Sequence, residues 1–187
     1  MKDLCGLRER KKQRTRAALV DAALDLFERK GFEATTVEEI AAAAEVSPRT
    51  FFRYFTAKEG AVLAVQEEEY QALLTELATR PGDLRGALLA VVDRGGQDGR
   101  SRRVQELVAA TPALRATSLD RSAAQERELA EQLVPRSATE QERLRARLAV
   151  AVTFSAIRVA VECWLATPGT PCSQHVLAAL AVLDEPR

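Results

Sequence analysis

The stretch from Thr35 to Lys58, T-T-V-E-E-I-A-A-A-A-E-V-S-P-R-T-F-F-R-Y-F-T-A-K, constrains the fold more than any other part of the chain. Two compact helical signals flank a tight break. Thr35 and Thr36 are N-cap candidates, with Glu38 and Glu39 at capping-box distance behind them. Val37, Ile40, Ala41 and Ala44 then share one helical face. The break is Glu45-Val46-Ser47. Ser47 suits the cap of the next helix, and Pro48 its first position, where a missing N–H costs nothing. Phe51 and Phe55, four apart, point the same way into a core. That leaves Arg49, Thr50, Arg53 and Tyr54 on the outer side of a helix barely two turns long. The pattern is a helix-turn-helix, and a second helix with cations and hydrogen-bonding groups outward suits a DNA major groove.

The run from Ala22 to Glu59, A-A-L-D-L-F-E-R-K-G-F-E-A-T-T-V-E-E-I-A-A-A-A-E-V-S-P-R-T-F-F-R-Y-F-T-A-K-E, resembles the N-terminal domain of the TetR family of transcriptional repressors. The matching pieces are Lys30-Gly31-Phe32, the Thr35-Thr36 cap, Ile40-Ala41, Val46-Ser47, Thr50-Phe51 and Tyr54-Phe55 followed by Lys58-Glu59. Two positions depart from the family's habit. Glu45 stands where Gly is usual, because the turn favours a left-handed backbone, at a cost of about 1 kcal/mol. Phe52 stands where Tyr is frequent, so it offers apolar contact, to a thymine methyl or a sugar, in place of a phosphate hydrogen bond.

Net charge is zero over the 187 residues, but it is unevenly spread. Residues 1–16 hold Lys2, Arg8, Arg10, Lys11, Lys12, Arg14 and Arg16 against Asp3 and Glu9, a surplus of five positive charges. Residues 61–187 have 15 Arg against 17 Asp or Glu. The cationic end abuts the helix-turn-helix, as an electrostatic DNA footprint would; alone, it also reads as a solubilising tail. No apolar run reaches the ~20 residues that cross a membrane, and the start lacks the apolar stretch of a signal peptide. A cytoplasmic protein is expected. Cys5, Cys163 and Cys172 have no metal-ligand spacing and there is one His, so neither a metal nor a cofactor is expected. Cys163 reads as a small core residue and Cys172 as a candidate redox-sensitive thiol.

In chain order, residues 1–8 read as frayed, and a long helix runs from about Glu9 to Lys30 with Ala17, Val20, Ala23, Leu24 and Phe27 inward. Gly31 closes it in a left-handed cap, with Phe32 folding back. Thr56 with Glu59 repeats the capping-box spacing before a fourth helix. Arg80-Pro81-Gly82 breaks the chain. Short helices follow around Leu84–Val92, ended by the Arg94–Gly99 run, and Val104–Val108, closed by Thr111-Pro112. A third spans about Ala113 to Val134. Ser137 with Glu140, or Thr139 with Glu142, caps a long helix to about Thr167, and Ser173 caps a last one. The expected fold is all-α. A DNA-binding domain spans 9–69, with the helix-turn-helix at about 36–55. A connecting helix leads from it to a helical ligand-binding and dimerisation domain at 70–187.

The last two helices are apolar nearly all round, through Leu144, Leu148, Val152, Ile157, Val159, Val176, Leu177 and Leu180. Such helices are buried twice, either in a monomer core or against a second copy. In the family they form the dimer interface. Arg158 interrupts this surface and needs a partner, either Glu162 one turn on or an acidic ligand group; Arg121 reads as solvated. S-P-R-T-F-F-R-Y-F, T-P-A-L-R-A and Trp164 together resemble the subgroup with acyl-CoA-like ligands. Leu107, Leu114, Phe154, Arg158 and Trp164 are the ligand-pocket candidates.

The reading is a homodimeric repressor released from a palindromic double-stranded operator by a small molecule. Arg49 is assigned to base edges, since Arg reads guanine O6 and N7 bidentately, and Arg53 to bases or phosphate. Pro48, Thr50 and Phe52 complete the groove-facing helix. Tyr54, Lys58, Thr36 and the basic segment with Arg14 and Arg16 are assigned to phosphates. No catalytic constellation accompanies His175, so an enzyme is not expected. The rival reading is a helical protein-interaction scaffold. Salt separates the two, because each phosphate contact contributes roughly −0.9 to the slope of log affinity on log salt.

Overall fold

The computed structural model describes residues 2–95 and 99–184, with the backbone alone for residues 2–6. The side chain of Cys5 and the Gly96–Asp98 part of the expected break lie outside the described residues. All regular structure among the described residues is helical: α1 (Lys2–Lys30), α2 (Val37–Ala43), α3 (Pro48–Tyr54), α4 (Lys58–Thr79), α5 (Leu84–Gly95), α6 (Arg100–Ala110), α7 (Pro112–Gln132), α8 (Glu140–Ala166) and α9 (Cys172–Val182). The chain divides into two compact units, Met1–Gln66 and Glu67–Arg187, and the division falls inside α4.

In the first unit the core is made by Leu19, Val20, Ala23, Leu24 and Phe27 of α1, Ile40 and Ala41 of α2 and Phe51 of α3, all nearly or fully buried. Gly31 has φ +86° and its N–H donates to the Phe27 carbonyl at 2.9 Å. Phe32 then returns to within 5.0 Å of the Phe27 ring, as a left-handed helix end with an apolar clasp requires. α1 begins at Lys2, not near Glu9: the expected frayed end is helix.

The second unit has two apolar clusters. One joins Tyr70, Leu73 and Leu77 of α4 to Leu88 and Val91 of α5, Leu129 of α7 and Val150 of α8. The other joins Ala160 and Trp164 of α8 to Cys172, Val176 and Leu180 of α9. Thr139 caps α8 through a reciprocal box with Glu142. Two expected caps move: α9 starts after Pro171, which leaves Ser173 inside the helix, and α4 starts at Lys58. Asp83, which the sequence reading passed over, accepts from the Gly86 N–H at 2.8 Å in the first turn of α5.

α8 has a window of mean hydropathy 1.7 and is long and apolar enough to cross a membrane by length and composition alone, which corrects the expectation of no such run. One side of it packs inside the unit through Val150, Thr153, Ala160 and Trp164. The other leaves Leu144 (56%), Leu148 (56%), Val152 (45%) and Val159 (47%) exposed, and Leu177 (53%) of α9 is exposed as well.

Candidate nucleic-acid interface

α2 starts at the cap Thr36, whose Oγ1 accepts from the Glu39 N–H at 3.2 Å while Glu39 accepts from the Thr36 N–H at 2.9 Å. Lys30 reaches the same carboxylate, and with the Thr36 N–H it holds Glu39 below the ordinary carboxylate range. The helix ends in a Schellman motif: the Val46 N–H donates to the Ala41 carbonyl at 2.9 Å and the Glu45 N–H to the Ala42 carbonyl at 3.0 Å. Glu45 sits at the left-handed position with φ +54°, the one non-glycine residue with positive φ among the described residues. The turn is therefore made in glycine's geometry without glycine.

Ser47 caps α3, accepting from the Thr50 N–H at 3.2 Å, and its hydroxyl also meets the Thr50 hydroxyl at 3.0 Å. Phe51 is fully buried and packs on Phe55, ring centres 5.4 Å apart. With that side anchored, Arg49, Phe52 and Arg53 face solvent, and Thr50 and Tyr54 are half-buried at the flanks. The Arg53 guanidinium lies 5.2 Å from the Tyr54 ring centre. Pro48 and Arg14 are exposed, and Arg16 lies 5.6 Å from the Phe55 ring centre. The outcome is a short, capped helix with two arginines and one aromatic ring on its outer side.

Lys58 takes a different part from the phosphate contact expected of it. Its Nζ donates to the carbonyls of Phe32 at 2.7 Å, Thr35 at 3.1 Å and Glu33 at 3.2 Å, 4.5 Å from the Phe32 ring centre. An ammonium has three donors, and all three close the α1–α2 loop. Lys58→Met keeps the stem and loses these bonds. Its expected result is an unfolding free energy lower by about 2 kcal/mol in a denaturant titration. The salt slope of DNA binding is expected to stay unchanged, whereas a lost phosphate contact would flatten it by ~0.9.

The five pocket candidates are spread over α6 (Leu107), α7 (Leu114) and α8 (Phe154, Arg158 and Trp164). Phe154 packs against the cluster around Tyr70, whereas Trp164 belongs to the α8–α9 cluster. Leu114 is fully buried and Leu107 half-buried. Arg158 is not the buried cation expected: its side chain is half exposed and pairs with Glu162 at 3.6 Å. Trp164 is stacked by Arg102 at 5.0 Å. Arg121, expected in solvent, pairs with Glu67 of α4 at 2.5 Å. The Gln71 amide and then the Arg121 guanidinium hold the Glu67 carboxyl below its ordinary range. Cys172 is buried, which with the nearby Glu69 charge pushes its thiol up to about 11. That leaves little thiolate for redox chemistry. Cys163 is exposed, not core. No group of His, Cys, Asp or Glu that could hold a metal ion occurs among the described residues.

Residues 19–65 match the family described as bacterial regulatory proteins, tetR family, and residues 82–187 match the MftR C-terminal domain. The HTH-type transcriptional regulator TcmR of Streptomyces glaucescens is 37% identical over 196 residues, covering 97% of this chain and 87% of that protein. Among solved structures, NalD, the secondary repressor of the MexAB-OprM multidrug efflux pump in Pseudomonas aeruginosa, has a TM-score of 0.60 at 22% identity, covering 92% of this chain and 95% of NalD. FadR of Thermus thermophilus, in complex with lauroyl-CoA, has a TM-score of 0.50 at 22% identity, covering 92% of this chain and 96% of FadR.

Proposed function

The chain belongs to the tetR family of bacterial regulatory proteins and is a DNA-binding transcription regulator, and from that premise we propose that it works as a homodimeric, ligand-released repressor. The observation that carries the reading is the outer face of α3: Arg49, Phe52 and Arg53 exposed on a helix capped by Ser47 and anchored at its middle by the buried Phe51. In this reading Arg49 contacts a base edge, Phe52 an apolar edge or sugar, and Arg53 and Tyr54 the bases or phosphates beside them, with Thr50, Pro48 and Thr36 placing the backbone. The apolar outer faces of α8 and α9 meet their copies, and the two recognition helices then read a palindrome. This use explains why α8 is apolar on both sides without a membrane. The protein acts where the chromosome is, in the cytoplasm, and performs no catalysis.

The effector enters among α6, α7 and α8, next to Leu107, Leu114, Phe154 and Trp164. An apolar tail suits these side chains, so acyl-CoA-like molecules are the class proposed; the FadR structure of the same fold holds lauroyl-CoA. An effector acts only through differential affinity for the DNA-bound and free states. Titrating the dimer on its selected operator with acyl-CoAs of increasing chain length is expected to weaken binding about 5- to 150-fold. Operator affinity unchanged by every acyl-CoA would remove that class.

A further inference from the structure

Gly60 is the third residue of α4, and glycine is a poor helix former. Its N–H donates to the Ala57 carbonyl at 3.0 Å, and its backbone is not left-handed, so conformation does not call for glycine here. Space does. A Cβ at this position would lie 3.3 Å from Phe55 Cβ, 3.6 Å from Phe55 Cδ1 and 3.8 Å from Phe55 Cα. Carbons rest at about 3.5–4.0 Å from one another, so the first of these contacts is too tight by a few tenths of an ångström. The atoms concerned are main chain and the root of a ring, which cannot swing aside as the tip of a long side chain does.

The start of α4 has no room to retreat. Lys58 is bonded to the carbonyls of Phe32, Glu33 and Thr35, and Ala61 and Val62, just beyond Gly60, are fully buried. Phe55 is hemmed in on its ring side by the fully buried Phe51, ring centres 5.4 Å apart, and by the Arg16 guanidinium. The same residue closes α3: its N–H donates to the Phe51 carbonyl at 3.0 Å, and only Thr56 and Ala57 separate it from α4. A push on the Phe55 backbone therefore passes into the last turn of α3, which carries Arg53 and Tyr54.

We infer that Gly60 is a positioning residue for DNA reading: its missing side chain lets α4 seat against Phe55, and that contact sets where the far end of α3 stands. The inference rests on the DNA reading of α3 and adds to it a residue that acts without touching DNA. Recognition groups have to be held to within about 0.5 Å, which is the scale of the displacement one added methyl group brings.

The test is Gly60→Ala in the full chain. Alanine is the better helix residue and narrows the unfolded ensemble, so the variant is expected to melt at or above the wild-type midpoint. In the free protein the backbone amide NMR shifts of Arg53, Tyr54 and Phe55 are expected to move while those of α2 stay. On the selected operator the variant is expected to bind about tenfold more weakly, losing discrimination at the base pairs beside Arg53, a split that roughly 1–3 kcal/mol per bidentate base contact makes measurable. Binding to random duplex is expected to stay within twofold, because no charge has changed. A residue with a packing role alone would lower the midpoint and leave the operator affinity of the folded protein as it was. Operator affinity within twofold of the wild type therefore overturns the assignment whatever the midpoint, and so do unmoved amides at Arg53, Tyr54 and Phe55. A wild type that selects no operator overturns the α3 reading instead, and the amide shifts still decide whether Gly60 sets the end of that helix.

Discussion

A Leu148→Glu, Leu177→Glu variant is expected to stay helical and folded, to sediment as a monomer, and to hold its operator at least a hundredfold more weakly than the wild type. Both leucines are more than half exposed in the protomer, so their replacement removes nothing from either apolar cluster. In the proposed α8–α9 dimer the same positions are buried. Each lost leucine contact removes about 1.5–3 kcal/mol, each carboxylate forced into the interface costs several kcal/mol more, and two-fold symmetry doubles every term. Operator affinity falls because the second half-site no longer binds as a tethered event, and tethering is worth about 10²–10⁴. Sedimentation velocity and anisotropy on the operator read the two effects. A double-glutamate protein that remains a dimer would place the interface elsewhere.

Arg49→Ala is expected to lose about 1–3 kcal/mol per half-site and to relax the preference at one base pair in each. The loss should come from discrimination and not from bulk attraction, so binding to random duplex and its salt slope should change little. Arg49 is exposed and takes no part in the Ser47 cap or the Phe51 packing, which makes a folding defect an unconvincing cause. A uniform loss across all sequences with a slope flatter by ~0.9 per subunit would reassign Arg49 to phosphate.

What the sequence made legible was what short-range chemistry decides. The Thr36–Glu39 box, the Ser47-Pro48 start of α3, the Gly31 helix end and the strained Glu45 turn all depend on residues within five positions of one another, and each is in place. The Arg158–Glu162 pair, one turn apart, was legible; the distant partners of Lys58 and Arg121 were not. Lys58 bonds to carbonyls 23 to 26 residues back, and Arg121 to a carboxylate 54 residues away. Neither pairing leaves a periodic trace. The all-round apolar character of α8 was readable, but it suits a membrane span by composition as well as a helix buried on two sides. Only the packing of Val150, Ala160 and Trp164 on one side, against Leu148 and Val152 left bare on the other, separates the faces. The pocket candidates were chosen by size, and size does not tell which cluster a side chain joins: Phe154 and Trp164, on the same helix, pack against different ones.

Binding-site selection from a random double-stranded DNA pool, with wild type and Arg49→Ala side by side, tests the central claim most directly. The account predicts that the wild type enriches a palindrome whose half-sites are about one helical turn (~34 Å) or more apart, and that the variant loses preference at one symmetric pair of positions. A folded wild-type dimer that enriches no sequence would contradict it.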